Sequence, residues 1–388
     1  MIFISQKGSV FSSWKGIEFH TKRFRGHSKP VYCVQVVGNK ICSGSDDKKI
    51  KLWDINKSKV EATFKGHQKG FLFYFYFFYF FLLFLFFIFY FYLIFIIYLI
   101  FYLIFYFLFF IFYFYFLLFF ILFLFIFIFL LYFSYFLFLF FLFLGVTCLH
   151  FDEQKLVSGS NDNNIKVWEM STRKCAATLQ GHTFGVSSLK FQNNTLVSCS
   201  VDKTIRIWDL TALTEVSMFT GHSKGIFSMQ IDFDKNLCVT GSCDHTVKMW
   251  DLRTKKSSFN LAGHSDEVTC VSLFSDYIAS SSIDKTVRIW DTRNTTKELS
   301  ILRGHSDAVW SVSLDKNFVV SGSKDKHIRL WNFYSDQCIR CFNVHNDTVF
   351  GIKYLDDRII SCSKDKSVVC LTNKKYANFK KKKSNIRI

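Results

Sequence analysis

The sequence predicts an all-β fold made of seven copies of one unit, and three observations predict it. Gly-His recurs at Gly26-His27, Gly66-His67, Gly181-His182, Gly221-His222, Gly263-His264 and Gly304-His305, and Val344-His345 closes the series. Successive histidines lie 40, 115, 40, 42, 41 and 40 residues apart. After each His comes a Ser-rich segment and an Asp, with an aromatic six residues further on: Asp47 to Trp53, Asp162 to Trp168, Asp202 to Trp208, Asp244 to Trp250, Asp284 to Trp290 and Asp325 to Trp331. In the seventh copy Asp365 leads to Leu371. Segments such as Ile50-Lys51-Leu52-Trp53 and Val287-Arg288-Ile289-Trp290 alternate with period two, as half-buried strands do.

These residues resemble the WD-repeat family, whose Gly-His to Trp-Asp unit of about 40 residues makes one four-stranded propeller blade. The resemblance runs from about Phe19 to Leu371 and implies a seven-bladed β-propeller with a low-complexity apolar insert in the second repeat. It also implies that each His (27, 67, 182, 222, 264, 305 and 345) donates to its Asp, while a strand Ser or Thr and the Trp indole complete a buried polar cluster. Those residues therefore read as structural. A hydrolase triad is disfavoured, because seven equivalent copies argue against one privileged nucleophile.

In the family the outer strand of a blade precedes its Gly-His. Here Glu18 to Arg23 precedes the first, and the seventh repeat ends near Thr372 with no strand after it. The N-terminal strand is thus expected to complete the last blade and remove an open sheet edge. Leu371 in place of Trp predicts an incomplete polar cluster and local fraying in that blade.

In chain order, residues 1-17 form a lead-in, 18-70 carry the closing strand, repeat one and the start of repeat two, 71-145 are the insert, 146-372 run from the rest of repeat two to repeat seven, and 373-388 are a basic tail. From Phe71 to Leu144 every residue is Phe, Leu, Ile or Tyr except Ser134. The His-to-Asp separation is 20 in five repeats, 22 in the fourth and 95 in the second, so removing 75 residues restores the common spacing. Joining Gly70 to Val146 gives GHQKGVTCLHF, close to GHSDEVTCVSLF at Gly263.

Two readings of the insert stand. As a membrane segment it exceeds the roughly 20 apolar residues of one span more than threefold. Both ends join one propeller, which demands turns, yet no Gly, Pro, Asn or charge punctuates the block. As translated noncoding DNA, its Phe, Leu, Ile and Tyr all have codons of A and T alone, and GT and AG can be placed at Gly70 and across Leu144-Gly145 in one frame. The retained-intron reading is preferred, and a membrane-anchored propeller depends on the insert being translated.

The formal charge is +18, and the final stretch from Lys374 holds a good share of it. Such a run reads first as a solvated tail and second as a nuclear-import, nucleic-acid or anionic-lipid contact. Nucleic acid is otherwise not an expected partner. The 12 cysteines show no disulfide spacing and sit in apolar settings such as Val31-Tyr32-Cys33, which suits a reducing cytoplasmic or nuclear compartment. Cys338 and Cys341 form a lone CxxC without a second pair at zinc spacing. The opening MIFISQKGSV is too short an apolar run for a secretory signal. No Gly-rich phosphate loop or distinctive nucleophile stands outside the repeat, so neither enzyme activity nor a cofactor is expected.

Propellers bind partners on their ring faces, and the fold alone does not choose the partner. The resemblance places two residues per repeat at the top entrance: the one after the first strand Val or Ile, and the one before the repeat Asp. Tyr32, Phe227, Trp310 and Phe350, with Lys324 and Lys364 nearby, are expected to form an aromatic and basic arc for other proteins or peptides. The alternative is that these side chains only fill the ring's mouth. Ser13-Trp14-Lys15-Gly16 is similar to the segment entering the propeller of F-box/WD-repeat proteins, the substrate receptors of cullin ubiquitin ligases. The entrance positions carry no Arg to clamp a phosphate bidentately, leaving Lys324 and Lys364 as point charges. A general assembly scaffold in signalling, transcription or RNA processing is the second expectation.

Overall fold

The computed structural model describes residues 18–67, 145–294, 297–355 and 358–373, and in it the period-two segments become 28 strands in seven four-stranded antiparallel sheets. The lead-in, the insert up to Leu144 and the basic tail from Lys374 onward lie outside the described residues. The closing strand is β1 (Phe19–Arg25). The first blade is β2 (Val31–Val37), β3 (Lys40–Ser45), β4 (Lys49–Asp54) and β5 (Lys59–Lys65). The second is β6 (Val146–Phe151), β7 (Lys155–Ser160), β8 (Ile165–Glu169) and β9 (Cys175–Leu179). The third is β10 (Val186–Gln192), β11 (Thr195–Ser200), β12 (Thr204–Asp209) and β13 (Thr214–Thr220). The fourth is β14 (Ile226–Asp232), β15 (Leu237–Ser242), β16 (Thr246–Asp251) and β17 (Lys256–Ala262). The fifth is β18 (Val268–Phe274), β19 (Tyr277–Ser282), β20 (Val287–Asp291) and β21 (Ser300–Leu302). The sixth is β22 (Val309–Leu314), β23 (Phe318–Ser323), β24 (Ile328–Asn332) and β25 (Cys338–Phe342). The seventh is β26 (Val349–Leu355), β27 (Arg358–Ser363) and β28 (Ser367–Asn373), with β1 as its fourth strand.

The innermost strands β2, β6, β10, β14, β18, β22 and β26 each touch the next, and β26 touches β2, so the ring closes around a central channel. Between blades, apolar side chains of neighbouring sheets pack into a common core. The indole of one blade packs on the outer-strand aromatic before it, as in Phe24–Trp53, Phe64–Trp168 and Phe219–Trp250 at centroid separations of 5.8, 5.9 and 5.6 Å. Burying such rings supplies about 2–3 kcal/mol each, which explains why every repeat keeps a large residue there.

Closure uses β1 antiparallel to β28, with Phe19 opposite Asn373 and Arg25 opposite Ser367. Leu371 is fully buried where the other blades hold Trp. The same closing strand fills the space beside it: Phe19 meets Phe342 edge-on at 5.0 Å, with the Arg340 guanidinium 5.0 Å from the Phe19 ring. The expected fraying of the last blade therefore meets a compensation that the repeat pattern does not display.

Candidate functional site

Each blade buries one polar chain. His Nδ1 lies 2.7–2.9 Å from Asp Oδ2 in all seven, from His27–Asp47 to His345–Asp365. Nε2 lies 2.7–2.9 Å from the hydroxyl of Ser43, Ser158, Ser198, Thr240, Ser280, Ser321 or Ser361. In six blades the indole N–H of Trp53, Trp168, Trp208, Trp250, Trp290 or Trp331 donates to that hydroxyl at 2.7–2.8 Å. The hydroxyl accepts from the indole and so donates to Nε2, which assigns the ring proton to Nδ1, facing Asp. Every group has a partner, and each hydroxyl residue is fully buried, so none is presented to a substrate.

The Asp also builds its turn. Asp202 Oδ1 accepts the Thr204 N–H at 2.9 Å and Oδ2 the Thr183 N–H at 3.0 Å. Lys203 between them adopts φ 70°, and Lys48, Asn163, His245, Lys285, Lys326 and Lys366 repeat this left-handed step. Burial pushes the Asp202, Asp284, Asp325 and Asp365 carboxyls up, but the bonds from His and neighbouring donors outweigh it and hold them well below the ordinary range.

At the entrance the decisive feature is a β-bulge. The register slips between Val31 and Cys33, Val146 and Cys148, Val186 and Ser188, Ile226 and Ser228, Val268 and Cys270, Val309 and Ser311, and Val349 and Gly351. The skipped residues are Tyr32, Thr147, Ser187, Phe227, Thr269, Trp310 and Phe350. A bulge re-aims the extra side chain, here by the same device in every blade. Where that residue carries an aliphatic hydroxyl it clamps the neighbouring blade: Thr147 donates to Val186 O, Ser187 to Ile226 O and Thr269 to Val309 O. The four aromatic positions carry rings instead.

Three of these rings join. Tyr32 meets Phe350 at 5.2 Å and Phe350 meets Trp310 at 5.8 Å, both edge-on, spanning blades six, seven and one. The Trp310 indole nitrogen is buried without a hydrogen-bond partner. Burial, with the Asp46 carboxylate adding to it, pushes the Tyr32 hydroxyl well above its ordinary range, so it stays protonated. The sequence grouped Phe227 with these rings on one arc, and the structure separates it: Phe227 belongs to blade four, between the hydroxyl positions Ser187 and Thr269. Lys324 lies 3.4 Å from Asp307 and Lys364 3.9 Å from Asp347, so the rim carries paired charges rather than two bare cations. Side-chain exposure of 56% and 52% makes these pairs weak and exchangeable.

The sequence profile described as "WD domain, G-beta repeat" matches residues 19–54, 143–169, 173–209, 213–251, 255–291 and 296–332. The chain belongs to the WD-repeat family. The matches stop before the seventh blade of this WD-repeat protein, where Val344 and Leu371 replace Gly and Trp. Among curated proteins it is similar to F-box/WD repeat-containing protein 7 of Drosophila melanogaster, 52% identical over 40 residues, covering 10% of this chain and 3% of that protein. It is also similar to F-box and WD repeat domain-containing 11-A of Danio rerio, 46% over 39 residues, 10% of this chain and 7% of that one. F-box/WD repeat-containing protein lin-23 of Caenorhabditis elegans is 49% identical over 39 residues, 10% of this chain and 6% of that one. Each match thus spans about one repeat.

Sequence reasoning missed two features of the entrance. The hydroxyl clamps leave a signal, Ser or Thr directly after the first strand Val, at Thr147, Ser187 and Thr269. The Lys–Asp pairing leaves one too, an Asp two residues before the strand Val at Asp307 and Asp347, but only the folded turn brings it to the lysine.

Proposed function

We propose that this WD-repeat protein is a protein-interaction scaffold that docks a partner peptide on the Tyr32–Phe350–Trp310 wall of the entrance. The observation that carries this reading is that the three rings adjoin on successive blades with an indole N–H left unsatisfied. Rigid aromatic rings give large contact area at little entropic cost, and a buried unpaired donor favours a ligand acceptor. Lys324 and Lys364 then exchange their Asp partners for acidic groups of the peptide, and Phe227 is a separate contact on the far side. The F-box/WD-repeat relatives and the Ser13-Trp14-Lys15-Gly16 segment favour a substrate receptor of a cullin-type ubiquitin ligase within that reading, with a general assembly scaffold as the alternative. No catalytic step is assigned to the seven His, Asp and Ser sets, since each is spent on its own blade.

The test is affinity capture with the intact chain and with Trp310→Ala and Phe350→Ala. Partners identified with the intact chain are lost by about tenfold or more with either variant, as for centrally placed aromatic anchors. Retention of the same partners by both variants refutes the docking wall. Ubiquitin-ligase subunits among the captured proteins support the receptor reading, and their absence alongside a stable partner supports the general scaffold.

A further inference from the structure

Deeper in the ring, the innermost strands place one residue each at a common register. His150 stands opposite Val157, Lys190 opposite Val197, and Lys353 opposite Ile360. Gln35, Gln230, Ser272 and Ser313 hold the same position in the other blades. None of the seven is a carboxylate. The residues two positions closer to the entrance, from Cys33 round to Gly351, carry only thiols, hydroxyls and one glycine.

The seven differ in how they are satisfied. Ser272 accepts the Leu314 N–H at 2.9 Å and Ser313 the Tyr354 N–H at 3.1 Å, so both hydroxyls stitch one blade to the next. Lys190 Nζ donates to Ile231 O at 2.7 Å, which uses one of its three protons. Lys353 Nζ makes no hydrogen bond, and no carboxylate lies within 4 Å of either amine among the described residues. His150 Nδ1 is buried and unpartnered, its ring held edge-on against Phe191 at 4.8 Å.

Burial lowers all three, Lys353 by burial alone. Burial first, and the neighbouring amines second, pull His150 down to about 4, and burial and Lys353 likewise lower Lys190. Asp152, just past β6, opposes this at His150 and Asp232, on β14, opposes it at Lys190, while each carboxylate also caps its own turn. Asp152 Oδ1 accepts from Gln154 N and Lys155 N at 2.7 and 2.6 Å, and Asp232 Oδ1 from Lys235 N at 3.1 Å. Two lysine amines and an imidazole thus share one level of the inner strands with no carboxylate in contact with either amine among the described residues, an arrangement that an anion between them stabilises.

We propose that the channel binds a small oxyanion of phosphate type between Lys353, Lys190 and His150. The amines of Lys353 and Lys190 supply charge-assisted donors, and His150 supplies a third donor on taking up a proton. The flanking glutamines Gln35 and Gln230 offer neutral amide donors. Binding there ties blades seven, one, two, three and four across the channel, so the anion acts as a stabilising ligand of the ring, independent of what the entrance holds.

The experiment titrates the intact chain with inorganic phosphate at constant ionic strength, chloride being exchanged for it, and reads both the unfolding midpoint and the phosphorus-31 resonance. A saturable rise in midpoint with broadening of the phosphate line is expected. Lys353→Met is expected to weaken phosphate by about tenfold or more, since it removes a charged donor. Lys174→Met, an exposed lysine on a surface turn, is expected to leave binding unchanged. A non-saturating response, no line broadening with the intact chain, or equal weakening by both variants overturns the proposal. The phosphorus measurement on the intact chain decides the matter even if Lys353→Met fails to fold.

Discussion

His67 Nδ1 meets Asp162 Oδ2 at 2.8 Å although 95 residues separate them, the same distance that His182 keeps from Asp202 across 20 residues. Gly145 O likewise accepts the Asn161 N–H at 3.2 Å, as Gly185 O accepts that of Val201 at 3.1 Å. A Cβ on Gly145 would come within 2.2 Å of Asp46 Cα, so glycine is required where β6 is entered. The second blade is therefore complete without residues 68–144.

A chain lacking residues 70–144, which keeps Gly145 after Lys69, is expected to fold to the same ring with an unchanged unfolding midpoint, because the strand pairings and hydrogen bonds among the described residues of the blade are retained. Reverse transcription across the codons for Lys65 to Leu156 is expected to give a product 225 bases shorter than the full reading frame. A full-length transcript as the sole product refutes the intron reading, and a midpoint lowered by the deletion refutes the independence of the blade.

Ser158→Ala is expected to cost about 2–4 kcal/mol, because it strands both His67 Nε2 and the Trp168 indole N–H in the core. Ser361→Ala strands only His345 Nε2, Leu371 having no donor, and is expected to cost about 1–2 kcal/mol. Chemical denaturation of the two variants checks the order. Equal losses would mean that the indole bond contributes nothing.

Arg23 on the closing strand pairs with Asp365 at 3.5 Å and also donates to Val344 O and Ser367 Oγ. It lies opposite Val369, at the position where strands β4, β8, β12, β16, β20 and β24 carry Lys51, Lys166, Arg206, Lys248, Arg288 and Arg329. The seventh blade thus receives its cation from the partner strand. Arg23→Met is expected to cost about 1–3 kcal/mol and to speed amide hydrogen exchange in β28 above that in β16. Uniform exchange across the two strands would disprove a local closing role.

Acid should unfold the ring in two stages. His150 and His222 are lowered by burial, the latter against the pull of Asp244, so the unfolded chain binds their protons first. Their contribution is full above the unfolded value of about 6.5 and is lost as pH falls below it. The lowered carboxyls Asp202, Asp284, Asp325 and Asp365 contribute fully above about 3.9 and lose that contribution as pH falls through their folded values. Calorimetry from pH 8 to 3 is expected to show a shallow decline and then a steep one. A midpoint that stays level to pH 3 would contradict both assignments.

The blade number, the strand pattern and the closing role of the N-terminal segment were legible in the sequence. Each depends on local periodicity and on a His, Asp and Trp set that recurs at fixed spacing, and seven repetitions average out the ambiguity of any one. What the fold alone decided concerns residues brought together from different repeats. Tyr32, Phe350 and Trp310 adjoin while Phe227 stands apart, Lys324 and Lys364 each meet an Asp, and His150, Lys190 and Lys353 stand at one register of the inner strands. Spacing along the chain encodes position within a blade. Ring closure and the bulge that turns one side chain off each inner strand determine which equivalent positions become neighbours, and what they must satisfy together.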